Sequence, residues 1–251
     1  MGGALVKAVA KTGCYKLLIT DLFEEKLKEI SAQTGAEISD AETIACECDY
    51  IFIGVKPQML EDCFAEIRDI LSQRKNCIIV SMAAGVAISR IKELSGVDSV
   101  IRIMPNMPVS VGSGVVLGAS ENVEKDSRTV FMNIMAYVGV FDWIDEKLID
   151  AASALSGCGP AFVYMFIEAL ADGAVACGLP RDKALLYAAG TLRGSAEMVI
   201  ETKKHPGKLK DEVCSPGGTT IMGVKALEDG GFRSNAMNAV IEAFKKTKEL
   251  G

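Results

Sequence analysis

The N-terminal half of the chain alternates short apolar runs with segments of helical periodicity. Apolar runs rich in Ile, Leu and Val predict strands at residues 16–20, 50–55, 77–81 and 99–103. Amphipathic segments predict helices at residues 22–34, 58–71 and 89–94. Because the runs are continuously apolar, they are typical of parallel strands covered by helices on both faces. The pattern therefore predicts an α/β fold with a doubly wound, Rossmann-like parallel sheet.

The start of this domain departs from the expected pattern. A dinucleotide-binding unit opens with a strand followed by G-x-G-x-x-G at the start of a helix, and an acidic residue follows about 20 residues later. Here a predicted helix at residues 4–10 comes directly after Gly2, and Asp21 ends the strand that follows. The spacing suits Gly2 as the last glycine of the motif. We therefore expect the first strand and the first two glycines to be missing from this chain.

Two further predicted strands, at residues 114–117 and 139–143, flank a helix at 124–137 and are expected to complete the sheet. After Asp145 the chain reads as helices joined by loops rich in Gly, Pro and Ser. We therefore predict a nucleotide-binding domain at residues 1–145 and an all-α domain at 146–251. The predicted helix at 160–176 carries small residues on several faces, which favours a role between subunits.

Composition and charge narrow the range of protein classes to which the chain can belong. The 251 residues are 49% hydrophobic but only 6% aromatic, so surplus aliphatic surface is expected to be buried in an oligomer. A net charge of −6 argues against nucleic-acid binding, and no apolar stretch is long and uninterrupted enough to predict a membrane span. The eight cysteines have no C-x-x-C spacing, which indicates a reducing cytoplasm. With His205 as the one histidine, no metal site is predicted.

Three loops that follow predicted strands are candidates for cofactor binding. The first contains Val55, Lys56 and Pro57, the second contains Ala83 and Ala84, and the third contains Asn106. Ligands of open parallel sheets bind beyond the carboxyl ends of the strands, so the three loops are expected to line one cleft. Small residues in the second loop would allow a flat ring to approach the backbone.

Asp21 has two interpretations of similar weight. Its carboxylate could accept a hydrogen bond from the ribose 2′-hydroxyl of NAD and repel the 2′-phosphate of NADP. Alternatively it could cap the next helix, because Asp21 and Glu24 have the spacing of a capping box.

The sharpest local feature lies at residues 215–220, just before a predicted helix at 221–228. It contains Ser215, Gly217, Gly218, Thr219 and Thr220. Free N–H groups at a helix start, with glycines allowing close approach, form a site for a small anion such as a carboxylate. A simple helix cap would need only one hydroxyl.

These motifs resemble the Δ1-pyrroline-5-carboxylate reductase family, which catalyses the last step of proline synthesis. The most specific matches are in the helical half, and the nucleotide-binding half matches in its strand-end loops. The matching segments are 55–57 (VKP), 83–86 (AAGV), 104–106 (MPN), 155–161 (LSGCGPA), 178–181 (GLPR), 205–211 (HPGxLKD), 213–220 (VCSPGGTT) and 230–233 (GGFR).

The resemblance implies NADPH or NADH as cofactor and a homodimer, or a ring of dimers, built by the C-terminal helices. It implies that residues 55–57 and the alanines at 83 and 84 contact the cofactor, and that the 215–220 loop binds the substrate carboxylate. It also implies an active site formed by one subunit's nucleotide cleft and its partner's helices. Ser215 and Thr220 are the catalytic candidates, with Thr220 near the ring nitrogen. An imine needs mainly alignment for hydride transfer, which agrees with a chain that has one histidine.

Two alternatives remain. A dehydrogenase of the β-hydroxyacid or 6-phosphogluconate type has the same two-domain plan, but it needs a catalytic lysine, which residues 156–164 do not contain. The other alternative is a truncated, non-catalytic dimeric homologue with impaired nucleotide binding.

Overall fold

The computed structural model describes residues 1–250, which fold into an α/β portion followed by helices. Helices and strands alternate through the first portion: α1 Gly2–Ala10, β1 Leu18–Ile19, α2 Glu24–Thr34, β2 Glu37–Ile38, α3 Ala41–Glu47, β3 Tyr50–Ile53, α4 Leu60–Ser72, β4 Ile78–Ser81, α5 Ile88–Ser95, β5 Val100–Pro105, β6 Gly114–Glu121, α6 Lys125–Ile134 and β7 Gly139–Trp143. The helical portion follows: α7 Ile149–Ser156, α8 Gly159–Ala176, α9 Arg181–Thr202, α10 Pro206–Val213, α11 Thr219–Asp229 and α12 Phe232–Leu250. This order confirms the predicted fold class.

Five strands form the main sheet in the order β3-β4-β5-β6-β7. The pairs β3–β4, β4–β5 and β6–β7 are parallel, whereas β5–β6 is antiparallel. The predicted parallel arrangement is therefore confirmed for β3, β4 and β5, whereas β6 and β7 run in the opposite direction. Only a short 3₁₀ turn at Met107–Val111 separates β5 from β6, and a parallel return needs a crossover of a dozen or more residues.

The two faces of this sheet bury separate apolar clusters, because successive side chains of a strand point to opposite faces. Ile79 and Val100 lie on one face with residues of α3, α4, α5 and α7. Their neighbours Ile78 and Ile101 lie on the other face with residues of α1 and α6. This two-sided burial explains why the strand sequences are continuously apolar.

The first two strands form a separate two-stranded parallel sheet, in which Leu18 pairs with Glu37 and Ile19 with Ile38. Their pairing with β3 is absent in residues 1–250. β2 and α3 were not predicted, because Glu37–Ile38 is short and exposed and α3 has only seven residues.

Contacts divide the chain into two compact units. The first contains residues 1–158 and the chain from Ala243 onward, and the second is Gly159–Glu242. The first unit thus extends past the predicted limit at residue 145 by including α7 and the end of α12. The predicted boundary between residues 145 and 146 marks a change of sequence pattern and stays a prediction.

The second unit contains a helical hairpin of α8 and α9 that packs around small residues. Ala171, Ala184 and Ala188 are buried there. Large apolar side chains on both helices are exposed, including Met165 at 70% and Leu186 at 68%. Glu146–Ala176 is long and apolar enough to cross a membrane by length and composition. Such a segment is weak support for a span, and α7 and α8 are separate helices in this region.

Candidate functional site

The ends of β3, β4 and β5 bring the three predicted cofactor loops to one edge of the main sheet. Ile53 pairs with Ser81, and Ser81 pairs with Arg102, so the carboxyl ends of these parallel strands are adjacent. The N–H of Met82 donates to the carbonyl of Ile53 across 3.4 Å, which continues the contact beyond the last ladder pair. The loops therefore share the edge at which ligands of open α/β sheets bind.

The first two loops differ in what they present to solvent. Lys56 and Pro57 are exposed and Val55 is half-buried, and the chain turns directly into the 3₁₀ helix Pro57–Met59. In the second loop Ala83 is buried, whereas Ala84 is exposed. The backbone N–H of Ala83 donates to Ser81 Oγ at 3.3 Å, which holds this loop against the strand end.

Asn106, in the third loop, points into the protein. The residue is 7% exposed. Its Oδ1 accepts from the N–H of Val115 and its Nδ2 donates to the carbonyl of Ser156, both at 2.9 Å. The side chain therefore connects elements of the first unit, and a contact of this residue with the cofactor stays a prediction.

Helix α1 begins beside the end of β3. A Cβ at Gly54 would lie 3.8 Å from the Cα of Gly2. Among the described residues no side chain caps the first N–H groups of α1. Uncapped N–H groups at a glycine-rich helix start can bind an anionic oxygen, and a role of Gly2 in cofactor binding stays a prediction.

Asp21 does not form the capping box considered from the sequence. Helix α2 begins at Glu24 with Phe23 as its N-cap, and no side chain of residues 1–250 caps that end. Instead, Asp21 Oδ1 accepts from the N–H of Phe23 at 3.0 Å in a tight turn. This orients the exposed carboxylate at the carboxyl end of β1, where Rossmann domains recognise the ribose.

A second carboxylate follows the neighbouring strand β2 but is used differently. Asp40 caps α3, and its Oδ1 accepts from the N–H of Thr43 at 2.7 Å. Hydrogen bonds from the N–H and the side chain of Thr43 hold the pKa of Asp40 below its ordinary value. Asp40 therefore caps α3, whereas the exposed carboxylate of Asp21 lies in the turn that follows β1.

The 215–220 loop in the second unit forms an open helix start. The N–H of Gly218 donates to the carbonyl of Ser215 at 3.1 Å, and Gly217 has φ +67°, which favours glycine. A Cβ at Gly218 would collide with Ser215 Oγ, so the glycine lets this hydroxyl lie over the start of α11. No side chain in the described part of the chain caps α11, and its first N–H groups are available for an anion.

The side chains around this helix start are accessible. Ser215, Thr219 and Thr220 are exposed, and α11 begins at Thr219, two residues earlier than predicted. His205 is the N-cap of α10, and its Nδ1 accepts from the N–H of Gly207 at 3.1 Å. The predicted substrate residues are thus together in one loop, while the predicted cofactor residues lie in the first unit.

One group of residues in the first unit was missed from the sequence. Arg102 lies within the apolar strand β5 with a 7% exposed side chain, and it pairs with Glu146 at 3.3 Å and Asp150 at 3.2 Å. A single charge inside an apolar run was the available signal, because a buried arginine requires partners.

Family models match both portions of the chain. A family model described as pyrroline-5-carboxylate reductase dimerisation matches residues 146–250, and one described as NADP oxidoreductase coenzyme F420-dependent matches residues 1–85. A pyrroline-5-carboxylate reductase of Arabidopsis thaliana is 46% identical over 213 residues, covering 84% of this chain and 76% of its own length. One from Methanosarcina acetivorans is 40% identical over 260 residues, covering 100% of this chain and 94% of its own length.

Solved structures of pyrroline carboxylate reductases also match the chain. A pyrroline-5-carboxylate reductase from Coxiella burnetii matches with a TM-score of 0.91 and 32% identity, covering 100% of this chain and 94% of its own. A Plasmodium falciparum pyrroline carboxylate reductase with NADP bound matches with a TM-score of 0.85 and 33% identity, covering the same shares. Fold and strand-end site together define an NAD(P)H-dependent oxidoreductase with a Rossmann-like domain. The extent of the identity shows further that the chain belongs to the pyrroline-5-carboxylate reductase family.

Proposed function

We propose that this protein reduces Δ1-pyrroline-5-carboxylate to L-proline with a hydride from NAD(P)H, the final step of proline biosynthesis. The observation that carries the proposal is the uncapped start of α11, with Gly217, Gly218 and the Ser215 hydroxyl beside it, in a chain of this family. The substrate is a small carboxylate, and such a helix start matches its charge and size.

The first unit provides groups that fit the cofactor. The uncapped start of α1 at Gly2 suits the pyrophosphate, Asp21 suits the ribose, and the loops of residues 55–57 and 83–84 suit the nicotinamide half. Bound NAD(P)H would supply the hydride. The exposed Ala84 presents only a methyl group and is followed by Gly85 at φ +74°, so a planar ring can approach this backbone closely.

The 215–220 loop orients the substrate. N–H groups of α11, together with the hydroxyls of Ser215 and Thr219, would bind the carboxylate and fix the orientation of the imine. We place the Thr220 hydroxyl at the ring nitrogen, where a hydrogen bond supports the protonated imine and the developing amine. Because the protonated C=N bond is already electrophilic, a strong base is not required.

The helical domain supports oligomerisation, and we propose that the assembly is a homodimer or a ring of dimers. Residues 146–250 match a dimerisation family, and the exposed apolar side chains of α8 and α9 are suitable for burial against another copy. The net charge of −6 gives no basis for nucleic-acid partners.

We propose a cytoplasmic location. All eight cysteines are free thiols, as expected in a reducing compartment. Burial raises the pKa of Cys48, Cys63 and Cys77, which keeps these thiols protonated and weakly reactive.

The proposed reduction is tested by measuring NAD(P)H oxidation by the purified full chain in the presence of Δ1-pyrroline-5-carboxylate. Substrate-dependent oxidation and the formation of proline are expected. Binding of neither NADH nor NADPH, measured by nicotinamide fluorescence, would instead support the non-catalytic dimeric alternative. Cofactor binding without turnover of this imine, but with oxidation of β-hydroxyacids, would favour the dehydrogenase alternative.

A further inference from the structure

Two buried polar side chains, Arg102 in strand β5 and Asn106 directly after this strand, are bonded to the two ends of helix α7. Arg102 and Asn106 are four residues apart, so both project from the same face of the extended chain. Arg102 donates to Asp150 in the first turn of α7, and Asn106 donates to the carbonyl of Ser156, its last residue. The helix is therefore bonded to β5 at its first turn and to the residue that follows β5 at its last residue.

The oxygen and the nitrogen of the Asn106 amide each make one hydrogen bond, to different elements. One end accepts from the N–H of Val115, at the start of β6, and the other end donates to Ser156. Ser156 Oγ is itself buried without a hydrogen-bond partner in the part of the chain that the structure describes. The end of α7 thus relies on its main-chain carbonyl for this contact.

The hydrogen bond between Asn106 and Ser156 lies near the point at which the first unit ends. Asn106 belongs to the 104–106 loop at the edge of the sheet where the cofactor is proposed to bind. Ser156 is three residues before Gly159, where the second unit begins, and that unit carries the 215–220 loop. The hydrogen bond therefore joins the cofactor edge to the point at which the chain leaves the first unit.

We propose that Asn106 is a positioning residue for hydride transfer, which acts by fixing the end of α7 relative to the cofactor loops. This inference rests on the proposed reduction. Hydride transfer is sensitive to alignment, and a displacement of about 1 Å can lower the rate about a hundredfold. Loss of the contact should therefore lower kcat and leave cofactor binding in the first unit nearly unchanged.

The variant N106D tests this because it is nearly isosteric. It keeps the oxygen that accepts from Val115 but replaces the donor to Ser156 with a second oxygen, which repels the carbonyl while ionised. Burial and this carbonyl both raise the pKa of the introduced carboxyl, so the acid regains a donor as pH falls. Arg102, Glu146, Asp150 and Lys248, which lie around the first turn of α7, form ion pairs with one another.

We expect kcat of N106D to be about tenfold to a hundredfold lower than wild type near pH 8, with KM for the cofactor within about twofold. The ratio of variant to wild-type kcat should rise as pH is lowered to about 6, because the protonated acid restores the donor. The control N133D makes the same change on the exposed face of α6 and should match wild type at every pH.

Circular dichroism and NADH fluorescence check that each variant is folded. If N106D does not fold, N106S tests the same idea, because its Oγ lies about where the amide carbon of Asn106 lies and is too short to reach Ser156; a similar loss of kcat is expected. A folded variant with wild-type kcat would overturn the inference, as would a loss confined to cofactor KM. Absence of turnover in the wild-type protein would instead refute the proposed reduction itself.

Discussion

Nη2 of Arg102 lies 3.2 Å from Oδ1 of Asp150, and this contact joins the middle of β5 to the first turn of α7. Lys248, near the end of α12, donates to the other oxygen of the same carboxylate at 2.8 Å. The hydrogen bond from Lys248 and the nearby charge of Arg102 hold the pKa of Asp150 below its ordinary value. One carboxylate therefore connects strand β5, helix α7 and the end of α12, all within the first unit.

The variant D150N should lower the free energy of unfolding by about 1–3 kcal/mol at neutral pH, because two charged donors lose their anionic acceptor. A depressed pKa stabilises the folded state above the unfolded value and loses that effect as pH falls through the folded value. The difference between wild type and D150N should therefore shrink below about pH 4. Urea unfolding at several pH values measures it.

The exposed Asp126 in the first turn of α6 provides the control for this measurement. D126N should change the free energy of unfolding by less than about 0.5 kcal/mol. A D150N protein as stable as wild type at neutral pH would show that the carboxylate does not hold α7 in place.

Much of the fold could be predicted because its strands are buried on both faces. The predicted strand at 139–143 and the helix at 160–176 agree with β7 and α8 to within a residue. Elements with few buried residues have a weaker hydrophobic pattern, and β2 at Glu37–Ile38 was therefore not predicted. The direction of β6 depends on the length of the preceding connection, and a hydrophobic pattern carries no information about direction.

The local motifs of the candidate site could be predicted from the sequence, whereas the hydrogen bonds between residues distant in sequence could not. The glycines and hydroxyls at 215–220 can be interpreted without the tertiary structure, because they suit an uncapped helix start in any fold. The role of Asn106 depends on Val115 and Ser156, which are 9 and 50 residues away in sequence. A hydrogen bond of that range follows from tertiary packing, so no local pattern could indicate it.

The carboxylate of Asp21 should make the enzyme prefer NADH. Its tight turn with Phe23 holds it at the end of β1, where it can accept from a ribose 2′-hydroxyl but repels a 2′-phosphate. We expect kcat/KM to be higher with NADH than with NADPH. D21S should raise kcat/KM for NADPH by about tenfold, since one like-charge contact is removed, and should lower it for NADH.

The matched control for this preference is D126S, which removes an exposed carboxylate from α6 instead. It should leave the ratio of the two kcat/KM values unchanged. Higher kcat/KM with NADPH in the wild type, with no response to D21S, would remove Asp21 from cofactor selection.

The exposed apolar face of the helical hairpin should be buried in the dimer. Leu186 of α9 is 68% exposed in the single chain, and a lysine there would bring a charge into an apolar interface. L186K should weaken self-association by at least about a hundredfold, because the loss is repeated in both copies. Sedimentation velocity measures the shift. M132K, on an exposed position of α6, should keep the wild-type oligomer, and an unchanged L186K oligomer would exclude this face.

The hydroxyl of Thr220 should act on the substrate and not on the cofactor. Thr220 is exposed in the first turn of α11, next to uncapped N–H groups, and the proposed hydrogen bond to the ring nitrogen needs an oxygen at this position. T220A should lower kcat/KM for Δ1-pyrroline-5-carboxylate by about tenfold to a thousandfold, with little loss of cofactor affinity, as expected for a lost proton-transfer or hydrogen-bonding group. T220S keeps the hydroxyl and should retain most of the activity. Steady-state kinetics with both substrates distinguishes the two variants, and unchanged turnover in T220A would exclude this role.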